Sequence, residues 1–462
     1  MSNIPFYNDQ IAKFYESYPG FSPQQFPGFG YPGCPPPCKK PCEKKCKKKT
    51  CKKCLKVCVS KCPPKCPPPC PPPCPPPCPP PCPPPCPPKH PCDPCDRPCD
   101  PCPLKSFCDP GLSSTCNALP CGPLANPSGV KRTVTTWKVL YLVSNQNNRA
   151  ANLDVDLINP WGIIVFNNQL YVAAGTTDVI LNYDLYGNRT NEIEVRDASH
   201  NASFPTGLAV NCGGGFNITN GVLNKTSLIM TATEHGTVHG YNPFVDPINA
   251  YIVLNQQLTG EVTVFKGLAI VNNTLYLADF FKAHIDVFDM NYNRLLGFHF
   301  VDNDSSDPIP IEYAPNNIVN IGCYLYILYA RRDPNITVHD LDGPGHGYIS
   351  VFNLDGSFVR RFYSRGVLNS PWAMIPAPCE CGFPPGSFLV GNQGDGRINI
   401  FDCNGRYVGP FLNQAGLPII IDGLWGLAPH YVEFSQIFFA SSADEDIDGL
   451  VGVFIPDQKI VI

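Results

Sequence analysis

The chain has 462 residues, of which 26 are cysteine and 55 proline, and its formal charge is −4. No run reaches the roughly 18 consecutive apolar residues of a helical membrane span. The opening MSNIPFYNDQIAKFYESYPGF has neither a basic nor an apolar segment, so no secretory signal is expected.

Both biased residue types crowd the N-terminal part, where 21 of the cysteines precede Lys131. The remaining residues, roughly 330, are ample for one large core. A low-complexity arm joined to a single folded body is the expected organisation. So many thiols without an export signal conflict with an ordinary cytosolic protein. They point to bound metal, or to oxidation in a compartment reached without a signal, such as a virus particle assembled in the host cytoplasm.

Residues 1–33 form an aromatic, Pro- and Gly-rich tail with nine aromatics, from Phe6 to Tyr31. It reads either as a sticky docking peptide or as a disordered tail. Residues 34–130 form the Cys/Pro-rich arm. Within 39–65, twelve lysines face only Glu43, which gives a local charge of +11. Such a run either attracts the acidic body of another copy, other particle or surface proteins, or a polyanion such as nucleic acid, or is a solvated stretch that keeps the cysteine-rich arm soluble. Within 66–86 a cysteine recurs every fourth residue on a scaffold of proline: Cys66, Cys70, Cys74, Cys78, Cys82 and Cys86. Proline permits neither helix nor sheet ladder here. A polyproline II rod places neighbouring cysteines about 12 Å apart, beyond the roughly 7 Å that a disulfide spans. These thiols are expected to cross-link to something other than each other. Cys92, Cys95, Cys99 and Cys102 make two CxxC pairs, which leaves zinc as an alternative.

Residues 131–462 carry 31 acidic against 18 basic residues, a net of −13. A motif recurs six times in this body. Its copies open at Asn159 (NPWGIIVFNNQLYVAAG), Phe204 (FPTGLAV), Phe265 (FKGLAIVNNTLYLADF), Ala314 (APNNIVNIGCYLYILYA), Ser370 (SPWAMIP) and Asp422 (DGLWGLAP). Taking Gly162, Gly207, Gly267, Asn317, Ala373 and Gly426 as equivalent, the spacing runs from 45 to 60 residues. Third strands follow as VILNYD, GTVHGYNP, HIDVFD, YISVFN, RINIFD and GLVGVF. Fourth strands follow as NRTNEIEV, NRLLGFHF, GSFVRRFY and GRYVGPFL. Four short strands per repeat of about 50 residues are the signature of a β-propeller blade. The expected fold is all-β, a six-bladed propeller. The last repeat has no fourth strand of its own, and TWKVLYLVS (Thr136–Ser144) is expected to supply it and close the ring.

Across residues 139–454 these motifs, with EHGTVHGYNP, YAPNNIVNIG, LVGNQGDGRINIFD and IDGLWGLAP, resemble an uncharacterised propeller family. That family occurs mainly as predicted secreted bacterial proteins and also in giant DNA viruses. The resemblance implies the fold and no reaction. The Asn and Ile bias and the CPPP array resemble amoeba-infecting giant viruses, which implies a virion protein.

The channel mouth, where the inner strands begin, would hold Asn159, Thr206, Lys266, Asn316 and Asp422, next to Trp161, Trp372 and Trp425. Oxygen donors there either bind Ca²⁺, as in six-bladed lactonase-type enzymes, or cap strand starts while the tryptophans pack between blades. The second reading is preferred. Asp444, Asp446 and Asp448 open like a calcium loop, but Ile455 stands where the twelfth-position Glu belongs. No nucleophile elbow, P-loop or HExxH helix occurs. Seven N-x-S/T sequons lie in the body and are expected to go unmodified without export. Two functional classes remain. One is a non-enzymatic structural or interaction protein of a virus particle, with a recognition head for a protein or glycan and no cofactor. The other is a Ca²⁺-dependent hydrolase or lyase acting at the channel mouth.

Overall fold

The computed structural model describes residues 133–196, 203–259, 262–335, 338–378, 383–384, 386–430, 436–443 and 446–461. The arm and its cysteines, together with Asp444, lie outside these residues.

Six antiparallel sheets follow one another along the chain. Blade 1 comprises Pro160–Phe166, Gln169–Ala174, Val179–Asp184 and Arg189–Glu194. Blade 2 comprises Pro205–Val210, Ile229–Thr233, Thr237–Tyr241 and Tyr251–Asn255, with an inserted hairpin of Asn217–Thr219 and Asn224–Thr226. Blade 3 has Phe265–Val271, Thr274–Asp279 and His284–Asp289. Blade 4 has Tyr313–Ile321, Tyr324–Arg331, Gly347–Asn353 and Phe358–Ser364. Blade 5 has Pro371–Pro376, Phe388–Asn392, Ile398–Phe401 and Tyr407–Pro410. Blade 6 has Leu424–His430, Gln436–Ser441 and Leu450–Val461, and its sheet continues into Thr133–Ser144. The first strand of each blade touches those of both neighbours, so the six close a ring around the channel. The chain is a six-bladed β-propeller.

Local chemistry explains the hairpins. FNNQ and VNNT turn blades 1 and 3 with Asn167, Asn168, Asn272 and Asn273 all at φ between 48° and 62°. That pair of left-handed residues makes the turn whose twist matches a hairpin, and Asn tolerates it. Hydrophobic side chains pack in seams between adjacent blades. Leu254 and Phe216 of blade 2 meet Phe265 and Leu277 of blade 3, and Phe362 of blade 4 meets Phe388 and Phe401 of blade 5.

The ring explains the repeated glycine. A Cβ on Gly162 would lie 2.6 Å from the Thr206 carbonyl oxygen, and one on Gly426 would lie 2.5 Å from that of Trp161. Inner strands approach too closely there for any side chain. In blade 4 the equivalent Asn317 instead donates its amide to the Trp372 carbonyl at 2.8 Å. Gly426→Ala is therefore expected to cost about 1–3 kcal/mol by overpacking, read in urea as a lower midpoint at unchanged slope.

Blade 3 departs from the sequence expectation. NRLLGFHF forms no fourth strand; only Arg294 bridges to Phe288. Gly297 takes a left-handed φ of 97° and interrupts the extended chain. Phe298 and Phe300 turn edge-on to Tyr276 instead.

The closing strand extends three residues further than expected. Thr133–Ser144 pairs antiparallel with Leu450–Val461, with Thr133 opposite Val461 and Ser144 opposite Leu450. Trp137 is buried at its centre, against Phe383 and Phe411 of blade 5, and its amide donates to the Leu412 carbonyl at 2.9 Å.

Candidate functional site at the channel mouth

In every blade the first strand starts at the mouth, and the connection from second to third strand returns there. Trp161, Trp372 and Trp425 begin the first strands of blades 1, 5 and 6 and converge on the axis. Trp161 stacks on Trp425 with ring centroids 3.6 Å apart, and Trp372 meets both edge-on at 6.4 and 5.9 Å. All three are buried, and the Trp372 indole donates to the Lys266 carbonyl at 3.0 Å. They pack against one another where the first strands of blades 1, 5 and 6 begin.

Lys266 sits on this aromatic floor, its side chain 2% exposed. Its ammonium pairs with Asp340 at 2.8 Å and lies 4.1 Å from the Phe280 ring centroid and 5.5 Å from that of Trp161. A buried ammonium needs such a partner, because desolvation is otherwise prohibitive. Carboxylates from three blades share its field. Burial pushes the Glu234 carboxyl up, and Lys266 offsets this only in part. Asp446 is raised by burial in the same way, and Asp342 by burial and the neighbouring Asp340. Burial would raise Asp340 too, but the Lys266 charge and hydrogen bond hold it below its ordinary value. His339 adds a second basic group that acts on Glu234 and Asp446. Four carboxyl groups face one permanent cation, so the mouth is acidic.

The residues singled out from sequence serve separate ends. The Asn159 amide oxygen accepts from the Trp161 indole at 2.7 Å. The Thr206 hydroxyl donates to the carbonyls of Ala232 and Phe265. Asn316 is buried, and its amide reaches the Pro371 carbonyl at 3.3 Å, which links blades 4 and 5. Asp422 is exposed. The remaining member, Lys266, is itself a cation at the centre of the group. Asp446 joins the mouth charges, whereas Asp448 is held by Arg149 at 2.8 Å and by Gln146.

Among the described residues, one grouping has ligand atoms close enough to share a metal: Asp279, His284 and Asp286 in blade 3. Lys282 and Arg294 already pair with these two carboxylates, so the network is charge-compensated without an ion.

Sequence reasoning missed Glu234, Asp340 and Asp342. The available signal was an acid in the connection after a repeat's second strand, as in TATEHG and VHDLDGPG.

No family model matches the chain. A protein of Acanthamoeba polyphaga mimivirus, Uncharacterized protein L690, is 66% identical over 370 residues, covering 80% of this chain and 97% of its own length. Another from the same virus, Uncharacterized protein R648, is 64% identical over 362 residues, covering 78% of this chain and 90% of its own. The chain belongs to this mimivirus protein family. Two solved structures are similar to the chain at low identity. A streptogramin B lyase is 10% identical at a TM-score of 0.43, covering 70% of this chain and 98% of its own. An α-L-arabinanase of Penicillium chrysogenum complexed with arabinobiose is 13% identical at 0.45, covering 71% and 99%.

Proposed function

We propose that the protein is a non-enzymatic structural and interaction component of the virus particle, with the propeller as recognition head and the Cys/Pro arm as cross-linker. The packing at the mouth supports this reading. Ligand sites need concave space with a few convergent polar groups. Here three buried tryptophans in mutual contact and a paired ammonium meet at the start of the inner strands. Membership of a giant-virus family supports the assignment to a particle. The acidic mouth suits a partner that presents lysine or arginine, and the arm of another copy offers both charge and reach.

Mass spectrometry of purified particles, combined with non-reducing electrophoresis, tests the reading. The chain is expected in particles as reducible multimers, and its absence would sink the proposal. In solution, self-association of the reduced protein should weaken steeply from low to moderate salt, as screened charges do. Salt-independent association would shift the contact to the aromatic segment 1–33. Replacing Cys70, Cys74, Cys78 and Cys82 by Ser should thin the multimer ladder and leave propeller unfolding unchanged.

One observation favours a second reading. Glu234 and Asp446, with carboxyls raised beside Lys266, are proton carriers of the kind a hydrolase or lyase uses. Turnover of lactone or glycan substrates that is lost in Glu234→Gln would replace the first reading.

A further inference from the structure

Blade 3 is a three-stranded sheet, and its last hairpin carries a polar cluster at the mouth end. Asp279 lies directly opposite His284, and Asp286 follows His284 by two residues. Alternation along a strand therefore puts all three side chains on one face. One oxygen of each carboxylate and one ring nitrogen of His284 lie within 4.8 Å of one another. His284 Nε2 is 3.1 Å from Asp286 Oδ1. Two donors each about 2.1 Å from one cation, and at right angles to it, are about 3 Å apart. The spacing already fits neighbouring ligands.

Burial sets these carboxylates apart from ordinary surface acids. Asp279 is 0% exposed and Asp286 1%. Asp279 Oδ1 accepts from the backbone amides of Lys282 at 3.1 Å and Val264 at 3.4 Å. Asp286 Oδ1 meets Arg294 and His284. The other oxygen of each, Oδ2, is buried without a hydrogen-bond partner. Lys282 and Arg294 balance the net charge, but they do not satisfy these two atoms. Lys282 Nζ stands 3.8 Å from Asp279 Oδ2, beyond hydrogen-bond reach, and Arg294 bonds Asp286 through Oδ1. Buried acceptors left without a donor are costly, and two of them in one cluster mark a place for an electron-pair acceptor.

We propose that Asp279, His284 and Asp286 form a binding site for a manganese-type divalent cation. Two carboxylates and one imidazole, with no thiolate, suit Mn²⁺, and water completes its shell. The His284 side chain is 41% exposed, which gives the ion an entry from solvent. Arg294, 42% exposed, releases Asp286 to the ion and turns into water, and Lys282 moves off Asp279. The exchange conserves charge, since one doubly charged ion replaces two singly charged groups beside two carboxylates. The bound ion ties the second strand to the third in the blade whose sheet has no fourth. This site does not depend on what the mouth binds.

Full-length reduced protein is titrated with Mn²⁺ alone, and the free ion is read by electron paramagnetic resonance. Mn²⁺ is the probe because the thiols of the arm prefer softer ions. Expected are one saturable ion per chain and an unfolding midpoint that rises with Mn²⁺ concentration, since the ion binds only the folded blade. Asp286→Asn and His284→Ala should each weaken binding at least tenfold. Arg294→Met should tighten it several-fold, because it removes the competing cation. A salt-bridge network that serves the fold alone predicts no saturable ion, and that result would overturn the proposal. Affinity unchanged in Asp286→Asn and His284→Ala would place the ion elsewhere and overturn it too, as would Arg294→Met binding no more tightly than the parent. Should Asp286→Asn fail to fold, His284→Ala decides, because its half-exposed ring can be removed at little cost to packing.

Discussion

Lys266→Met is expected to destabilise the propeller by about 3–5 kcal/mol at neutral pH, the usual cost of removing one partner from a buried ion pair. The reason is the company Lys266 keeps. Without the ammonium, Asp340 remains as an unpaired buried carboxylate beside Glu234 and Asp446. The pH dependence gives a second, independent readout. In the native protein Asp340 is held below its ordinary value, so its contribution is complete above the unfolded carboxylate range and fades as pH falls through the folded value. In Lys266→Met that carboxyl rises, and acid should restore part of the lost stability by neutralising it. Glu234 works in the opposite direction. Its raised carboxyl makes the folded state the better proton binder, so stability declines as pH climbs from the unfolded value through the folded one. Glu234→Gln should remove that decline and raise the melting temperature above neutral pH. Denaturant titrations of the three proteins across the acid range to pH 8 check both signs. A Lys266→Met protein as stable as the parent would mean that the mouth charges are solvated.

Deleting residues 1–145 should leave an aggregating protein, whereas deleting 1–130 should leave a soluble one that unfolds cooperatively. The longer deletion removes Thr133–Ser144 and bares the backbone of Leu450–Val461 as an open edge. It also removes Trp137 from its ring cluster with Phe383 and Phe411. Losing a buried tryptophan side chain alone costs about 3–5 kcal/mol, before any hydrogen bond is counted. Light scattering and thermal unfolding under reducing conditions separate the two truncations. Equal solubility would mean that the ring closes without its N-terminal strand.

Much of the architecture was legible because a propeller repeats. Six copies of one strand pattern reinforce each other, and a last repeat one strand short implies that the chain's other end completes it. The exception is local. NRLLGFHF has strand-like residues, but Gly297 and two phenylalanines with a better surface on Tyr276 outweigh them. The mouth was half legible. Repeat alignment placed Asn159, Thr206, Lys266 and Asn316 at strand starts, but residue type alone did not reveal which side chains meet across the axis.

The sequence by itself determined the number of blades, the order of their strands, the closing segment and the split between a basic Cys/Pro arm and an acidic body. These follow from periodicity and composition, which are properties of neighbouring residues. Only the tertiary structure decided that three tryptophans from blades 1, 5 and 6 meet, with Trp161 stacked on Trp425 and Trp372 edge-on to both, and that Lys266 pairs with Asp340. Closing a ring brings together residues tens to hundreds of positions apart, and whether a buried charge finds a partner depends on that closure and on nothing local.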